Sequence, residues 1–80
     1  MNLNKIKNQI LENILNEKER KNVSTVAKEL NIDLDVCYKA SYEISIDGYV
    51  DFDNCTTVDG KDATIKINGI GKLFFPKERY

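Results

Sequence analysis

The sequence predicts an α+β domain, with a three-helix core followed by a β-hairpin and a short closing helix. Three observations lead there. Apolar residues recur at three- and four-residue steps in three stretches before Gly48. From Tyr49 the period changes to two. Between the two alternating stretches stands Asp59-Gly60, a turn signal. At 80 residues, 41 % apolar and 31 % charged, the chain suits one globular domain over 1–80 rather than a disordered one.

The first helix is expected from about Asn4 to Lys18, on the spacing of Leu3, Ile6, Ile10, Leu11, Ile14 and Leu15. Ile6, Ile10 and Ile14 form one stripe toward the core. Leu11 and Leu15 lie further round, placed to meet the last helix or a second subunit. Lys18 to Asn22 is a charged break. A second helix of only about two turns is expected within the segment Val23 to Leu30, with Asn22 or Ser24 as its N-cap and Val26, Ala27 and Leu30 as its apolar stripe. Asn31-Ile32-Asp33 makes a tight turn. Asp33 caps a third helix from Leu34 to Ser45 or Asp47, Asp35 complements its dipole, and Gly48 stops it. Leu34, Cys37, Ser41 and Ile44 share its inward face.

Tyr49-Val50-Asp51-Phe52 reads as a strand and Ala63-Thr64-Ile65-Lys66-Ile67 as its return. Asn68 caps a short helix from Gly69 to about Phe75, with Ile70, Leu73 and Phe74 facing in, and Pro76 ends it. Residues 76–80 are expected to be a loose tail. The expected core is Ile6, Ile10, Ile14, Val26, Leu30, Ile32, Leu34, Cys37, Ile44, Val50, Ile65, Ile67, Leu73 and Phe74.

Several function classes fall away on composition. The chain has no His, the usual general base and zinc ligand. Asp33-Leu-Asp35 and Asp51-Phe-Asp53 do not match the ligand spacing of a calcium loop. Gly69-Ile-Gly71 lacks the context of a nucleotide loop. Catalysis, a metal and a cofactor are therefore not expected. Cys37 and Cys55 lie far apart and read as reduced thiols of a cytoplasmic protein. The first segment has no run of apolar residues typical of a signal peptide. No stretch reaches the ~18 apolar residues of a membrane span, so no membrane role is expected. Lys outnumbers Arg ten to two, and Asn and Ile abound, as in AT-rich bacterial, phage or plasmid sequences.

Helix, short helix, tight turn, helix and hairpin follow the order of a winged helix-turn-helix domain. Ile44-Ser-Ile-Asp-Gly48-Tyr49-Val50 resembles the junction where the recognition helix of that superfamily ends and the wing begins. Ile67-Asn68-Gly69-Ile70-Gly71-Lys72-Leu73-Phe74-Phe75 is similar to the segment after the wing in the MarR- and PadR-like groups, with Asn68 where Thr is usual. The resemblance covers about Ile6 to Phe75. It implies a winged helix-turn-helix fold, with a two-stranded β wing and a short C-terminal helix, and a DNA-binding ancestry.

The net charge of −1 hides an uneven distribution: +2 over residues 1–30, −6 over 31–62 and +3 over 63–80. The acidic third holds the third helix and most of the hairpin. The outward face of that helix carries Asp35, Tyr38, Lys39, Tyr42, Glu43, Ile46 and Asp47, with no Arg, Gln or Asn to read base edges. Its carboxylates would meet phosphates without compensation. Tyr38, Tyr42 and Ile46, four residues apart, make a stripe that suits a protein-binding anchor rimmed by Asp35 and Lys39. Tyr38 and Ile46 could instead fold under the hairpin and last helix, or the aromatic side chains could stack on single-stranded nucleic acid.

The expected function is a non-catalytic accessory or adaptor protein in transcription or replication, of phage or mobile-element type, with a partner protein on the third helix. The alternatives are a sequence-specific DNA-binding transcriptional regulator, and a single-strand nucleic-acid-binding helper. Nucleic acid, where it is met, would be met by Lys5, Lys7, Lys28, Lys66 and Lys72. The wide apolar arc of the first helix adds the expectation of a homodimer through that helix.

Overall fold

The computed structural model describes residues 2–57 and 60–80, and the side chains of 2–55 and 62–80. Its elements run α1 (Leu3–Ile14), β1 (Lys21–Asn22), α2 (Val23–Leu30), α3 (Leu34–Ile46), β2 (Val50–Thr57), β3 (Gly60–Ile67) and α4 (Gly69–Phe74). The three helices before the hairpin pack together and against one face of an antiparallel sheet of order β1-β3-β2. The α+β class and the order of the main elements are as expected. Asp59 of the expected turn lies outside the described residues.

The helix boundaries follow from their caps. Asn2 accepts from the Asn4 N–H at the start of α1 (2.9 Å). α2 ends at Asn31, which takes the left-handed conformation (φ 56°) and donates its N–H back to the Ala27 and Lys28 carbonyls. Asp33 caps α3 through the N–H groups of Asp35 (2.9 Å) and Val36 (3.4 Å). Gly48, at φ 90°, turns the chain out of α3, where a side chain would be strained.

The third strand was not expected. Lys21 and Asn22 pair with Ile65 and Thr64. The Arg20 guanidinium pins this edge, donating to Thr64 Oγ1 (2.9 Å) and to the Thr64 and Asp51 carbonyls (3.1 and 3.2 Å). The hairpin is also longer than its apolar alternation, because β2 and β3 stay in register from Val50↔Ile67 to Thr57↔Gly60.

The core contains Ile6, Ile10, Ile14, Val26, Cys37, Ile44, Val50, Ile65 and Ile67, all expected. It adds Leu11, Val23, Ala27, Ala40, Ala63 and Phe75. Leu30, Ile32 and Phe74 pack on it half-buried. Leu34 and Leu73 do not belong to it, at 39 % and 76 % exposed. Leu11 is fully buried because α1 is met by α2, α3 and β3, so the wide arc serves the chain's own core. That removes the basis for a dimer through Leu11, while Leu15 lies half-buried against the same core.

In α4 only Phe74 of the three residues expected to face in packs on the core. Gly71 is buried with its Cα against the Tyr49 carbonyl, where a Cβ would collide with that oxygen and stand 2.7 Å from Ile67 Cγ1. This close approach turns Phe75 inward (1 % exposed) and leaves Ile70 and Leu73 outside. Asn68 fastens the helix, accepting from the Gly71 N–H (2.7 Å) and donating its amide to the Gly48 carbonyl (2.8 Å). One side chain thus ties the start of α4 to the end of α3.

The tail after Pro76 is docked rather than loose. Tyr80 exchanges hydrogen bonds between its backbone and the Asn8 amide (2.9 and 3.2 Å). Its hydroxyl donates to Asp47 Oδ2 (2.6 Å), and its ring meets Tyr49 and Phe74 edge-on. Burial first, then the Asp47 carboxylate, pushes the Tyr80 phenol well above its ordinary value.

Candidate functional site

α3 carries all five residues of the expected protein-binding face. The Asp33 cap and the Gly48 stop set its ends. Ala40, Ser41 and Ile44 bury its inner face, and Tyr38, Tyr42 and Ile46 fall on the flank beside β2. There the Phe52 ring wedges between two tyrosines. Its centroid lies 5.2 Å from that of Tyr38 and 5.6 Å from that of Tyr42, both edge-on. The Tyr38 hydroxyl donates to Asn54 Oδ1 on β2. Tyr38 is thereby half-buried structure between helix and hairpin. Tyr42 shares the Phe52 contact yet stays 49 % exposed, and Ile46 is 65 % exposed, so Ile46 does not fold under the hairpin.

Asp35 and Lys39 are exposed on the same helix. Asp47, at its end, is engaged by the Tyr80 hydroxyl. Asp51 and Asp53 are exposed on β2 as well, but alternate with Phe52 and so lie on the face of the sheet away from α3. The result is an apolar patch of one aromatic and one aliphatic side chain in an acidic setting relieved by Lys39. Chemically it can bury Tyr42 and Ile46 against an apolar partner surface. It offers no donor fork for base edges.

The expected basic residues do not form one face. Lys7 is 7 % exposed; its ammonium pairs with Glu43 Oε1 at 3.1 Å and lies 4.7 Å from the centre of the Tyr80 ring. It holds α1 to α3 and the tail, and is unavailable to a nucleic acid. Lys5 is exposed on α1. Lys28 lines a separate hollow with Ala27, Ile32 and Leu34. Lys66 and Lys72 do line one hollow, together with Lys18. Nothing local links Lys18 to Lys72; the fold alone brings the turn after α1 beside α4.

No family model matches the chain, and neither does any curated protein or solved structure. The functional reading therefore rests on the residues themselves. Both cysteines are free. Burial pushes the Cys37 thiol up to about 11, with the Ser41 hydroxyl opposing, so it stays protonated and unreactive at neutral pH. Among the described residues no three His, Cys, Asp or Glu side chains gather as a metal cage. No described helix is long and apolar enough to cross a membrane.

One polar site is structural. Asp62, 7 % exposed on β3, accepts from the Ser24 N–H (3.2 Å), the Ser24 hydroxyl (2.9 Å), the Asn22 amide (3.1 Å) and the Ala63 N–H (2.8 Å). It caps α2 from another element, where Asn22 makes no side-chain cap bond of its own. Lys21 does similar work nearby, with Glu29 at 2.5 Å, Asn13 at 2.8 Å and Glu17 at 3.5 Å. Burial opposes its charge, but the two glutamates outweigh it and hold the ammonium above its ordinary value.

Proposed function

We propose that this chain is a non-catalytic winged helix-turn-helix protein that acts as an adaptor in transcription or replication, with α3 as its protein-binding face. The order of helices, tight turn and hairpin supports the fold reading. So does the Asn68 clamp, which joins the two sequence segments that carry the resemblance. The buried Cys37 thiol and the lack of His support a role without catalysis.

The observation that carries the adaptor role is the exposure of Tyr42 and Ile46 on the helix that would otherwise read DNA. A base-reading helix needs donors and acceptors for base edges, and compensation for phosphate charge. α3 presents apolar surface and carboxylates instead. The matching partner is a protein with an apolar patch and a basic rim.

Binding to purified transcription and replication subunits, beside duplex DNA binding against salt, tests this. Tyr42→Ala and Ile46→Ala should each weaken one defined protein complex about tenfold or more, in keeping with anchor residues. Duplex affinity should show no sequence choice. The reading fails if the unmodified protein selects one duplex by ~10³-fold at physiological salt and Tyr42→Ala or Lys39→Ala abolishes that choice.

A further inference from the structure

We propose that the cleft between the end of α1, β3 and α4 is a binding site for the phosphodiester backbone of a nucleic acid. The cleft has a volume of about 590 Å³, within the usual range for ligand sites. Three lysines from three separate parts of the chain line it: Lys18 after α1, Lys66 on β3 and Lys72 on α4. Leu15, Phe75 and Pro76 supply its apolar wall.

The charges around it do not cancel. Among the described residues Glu17 is the one acid lining the cleft, and it lies 3.5 Å from the Lys21 ammonium. Asp51 faces Lys66 across the β2–β3 register, yet no ion pair forms between them. Among the described residues none of the three lysines has a carboxylate within 4.0 Å, whereas Lys7, Lys21 and Arg79 all do.

Like charges held round a concavity focus a positive potential in it. A polyanion that enters releases counterions and relieves the repulsion. The lining also says how such a ligand is read. Phe75 is 1 % exposed, so no ring face is open for a base to stack on. The lysines act as point charges without the planar fork of Arg. The site therefore takes phosphate charge and ignores base identity. No residue of α3 lines the cleft, so this inference is independent of the adaptor reading.

Fluorescence anisotropy of labelled thymidine oligonucleotides tests it, with single strand, duplex, inorganic phosphate and polyglutamate as parallel arms. Both oligonucleotides should bind at ~50 mM salt and weaken steeply by ~200 mM. The double variant Lys66→Gln/Lys72→Gln should lose about tenfold in affinity and flatten the single-strand salt slope by about 1.4, at ~0.7 per phosphate contact. Lys5→Gln and Lys28→Gln, which do not line the cleft, should change the slope little. Unchanged melting temperatures of the variants show that the fold is intact. Three results would each overturn the proposal: no oligonucleotide binding at low salt, equal losses for Lys5→Gln or Lys28→Gln, or polyglutamate binding as tightly as DNA.

Discussion

Replacing Asp62 should uncouple the hairpin from α2, and the size of the effect follows from its partners. Its carboxylate accepts from four donors, two of them on Ser24 at the open end of α2. Asp62→Ala removes a helix cap, which costs about 1 kcal/mol. The partly buried donors left behind cost a further ~1–2 kcal/mol together, since the exposed Asn22 amide regains water. The total of about 2–3 kcal/mol lowers the melting temperature by roughly 10–20 °C for a domain of this size. The pH dependence is specific as well. Burial alone would raise the Asp62 pKa, but the hydrogen bonds from Ala63, Ser24 and Asn22 outweigh it and hold the carboxyl below its ordinary 3.8. Its stabilisation is therefore whole at neutral pH. It fades as pH falls past the unfolded-state value and is gone below the folded one. Urea unfolding between pH 7 and 2 reads this directly. Asp62→Asn, which keeps the shape without the charge, should show a shallower loss of stability in acid than the unmodified chain. An Asp62→Ala protein that melts within a couple of degrees of the parent, or an Asp62→Asn protein with the same acid slope, would refute the reasoning.

Gly71→Ala should destabilise by about 1–3 kcal/mol in thermal melts, because the added methyl meets the Tyr49 carbonyl and Ile67 rather than open space. Leu11→Ala should cost ~3–5 kcal/mol by cavity formation, while Leu73→Ala, at 76 % exposed, should stay within ~0.5 kcal/mol in the same urea titration. A thiol reagent at neutral pH should label the half-buried Cys55 in the folded chain and Cys37 only after denaturant is added, as mass spectrometry of the labelled protein would show.

Local chemistry was legible in the sequence wherever one residue decides one backbone event. Asp33 capping α3, Gly48 ending it and Asn68 opening α4 each depend on neighbours within a few positions. The 3.6 and 2.0 periods likewise gave the helices and the hairpin, because each element must bury one face. Of the candidate site, the position of Tyr42 and Ile46 beside the apolar stripe of α3 was readable in the same way, whereas their exposure was settled only by where the hairpin and α4 pack. The two-residue β1 was not, since Lys21 and Asn22 carry no pattern and owe their pairing to β3.

Packing partners determined the rest. Leu11 looked surplus on α1 until three elements closed around it, and Ile70 and Leu73 looked buried until Gly71 brought α4 down on the Tyr49 carbonyl. Lys7 and Lys72 are the same residue type in similar amphipathic settings. One is spent on Glu43 and Tyr80, and the other is left facing a cleft with Lys18 and Lys66. A sequence sets which side chains a helix presents and at what spacing. Which of them meet water is decided by how elements distant in the chain rotate to exclude it, and that is a property of the assembled core.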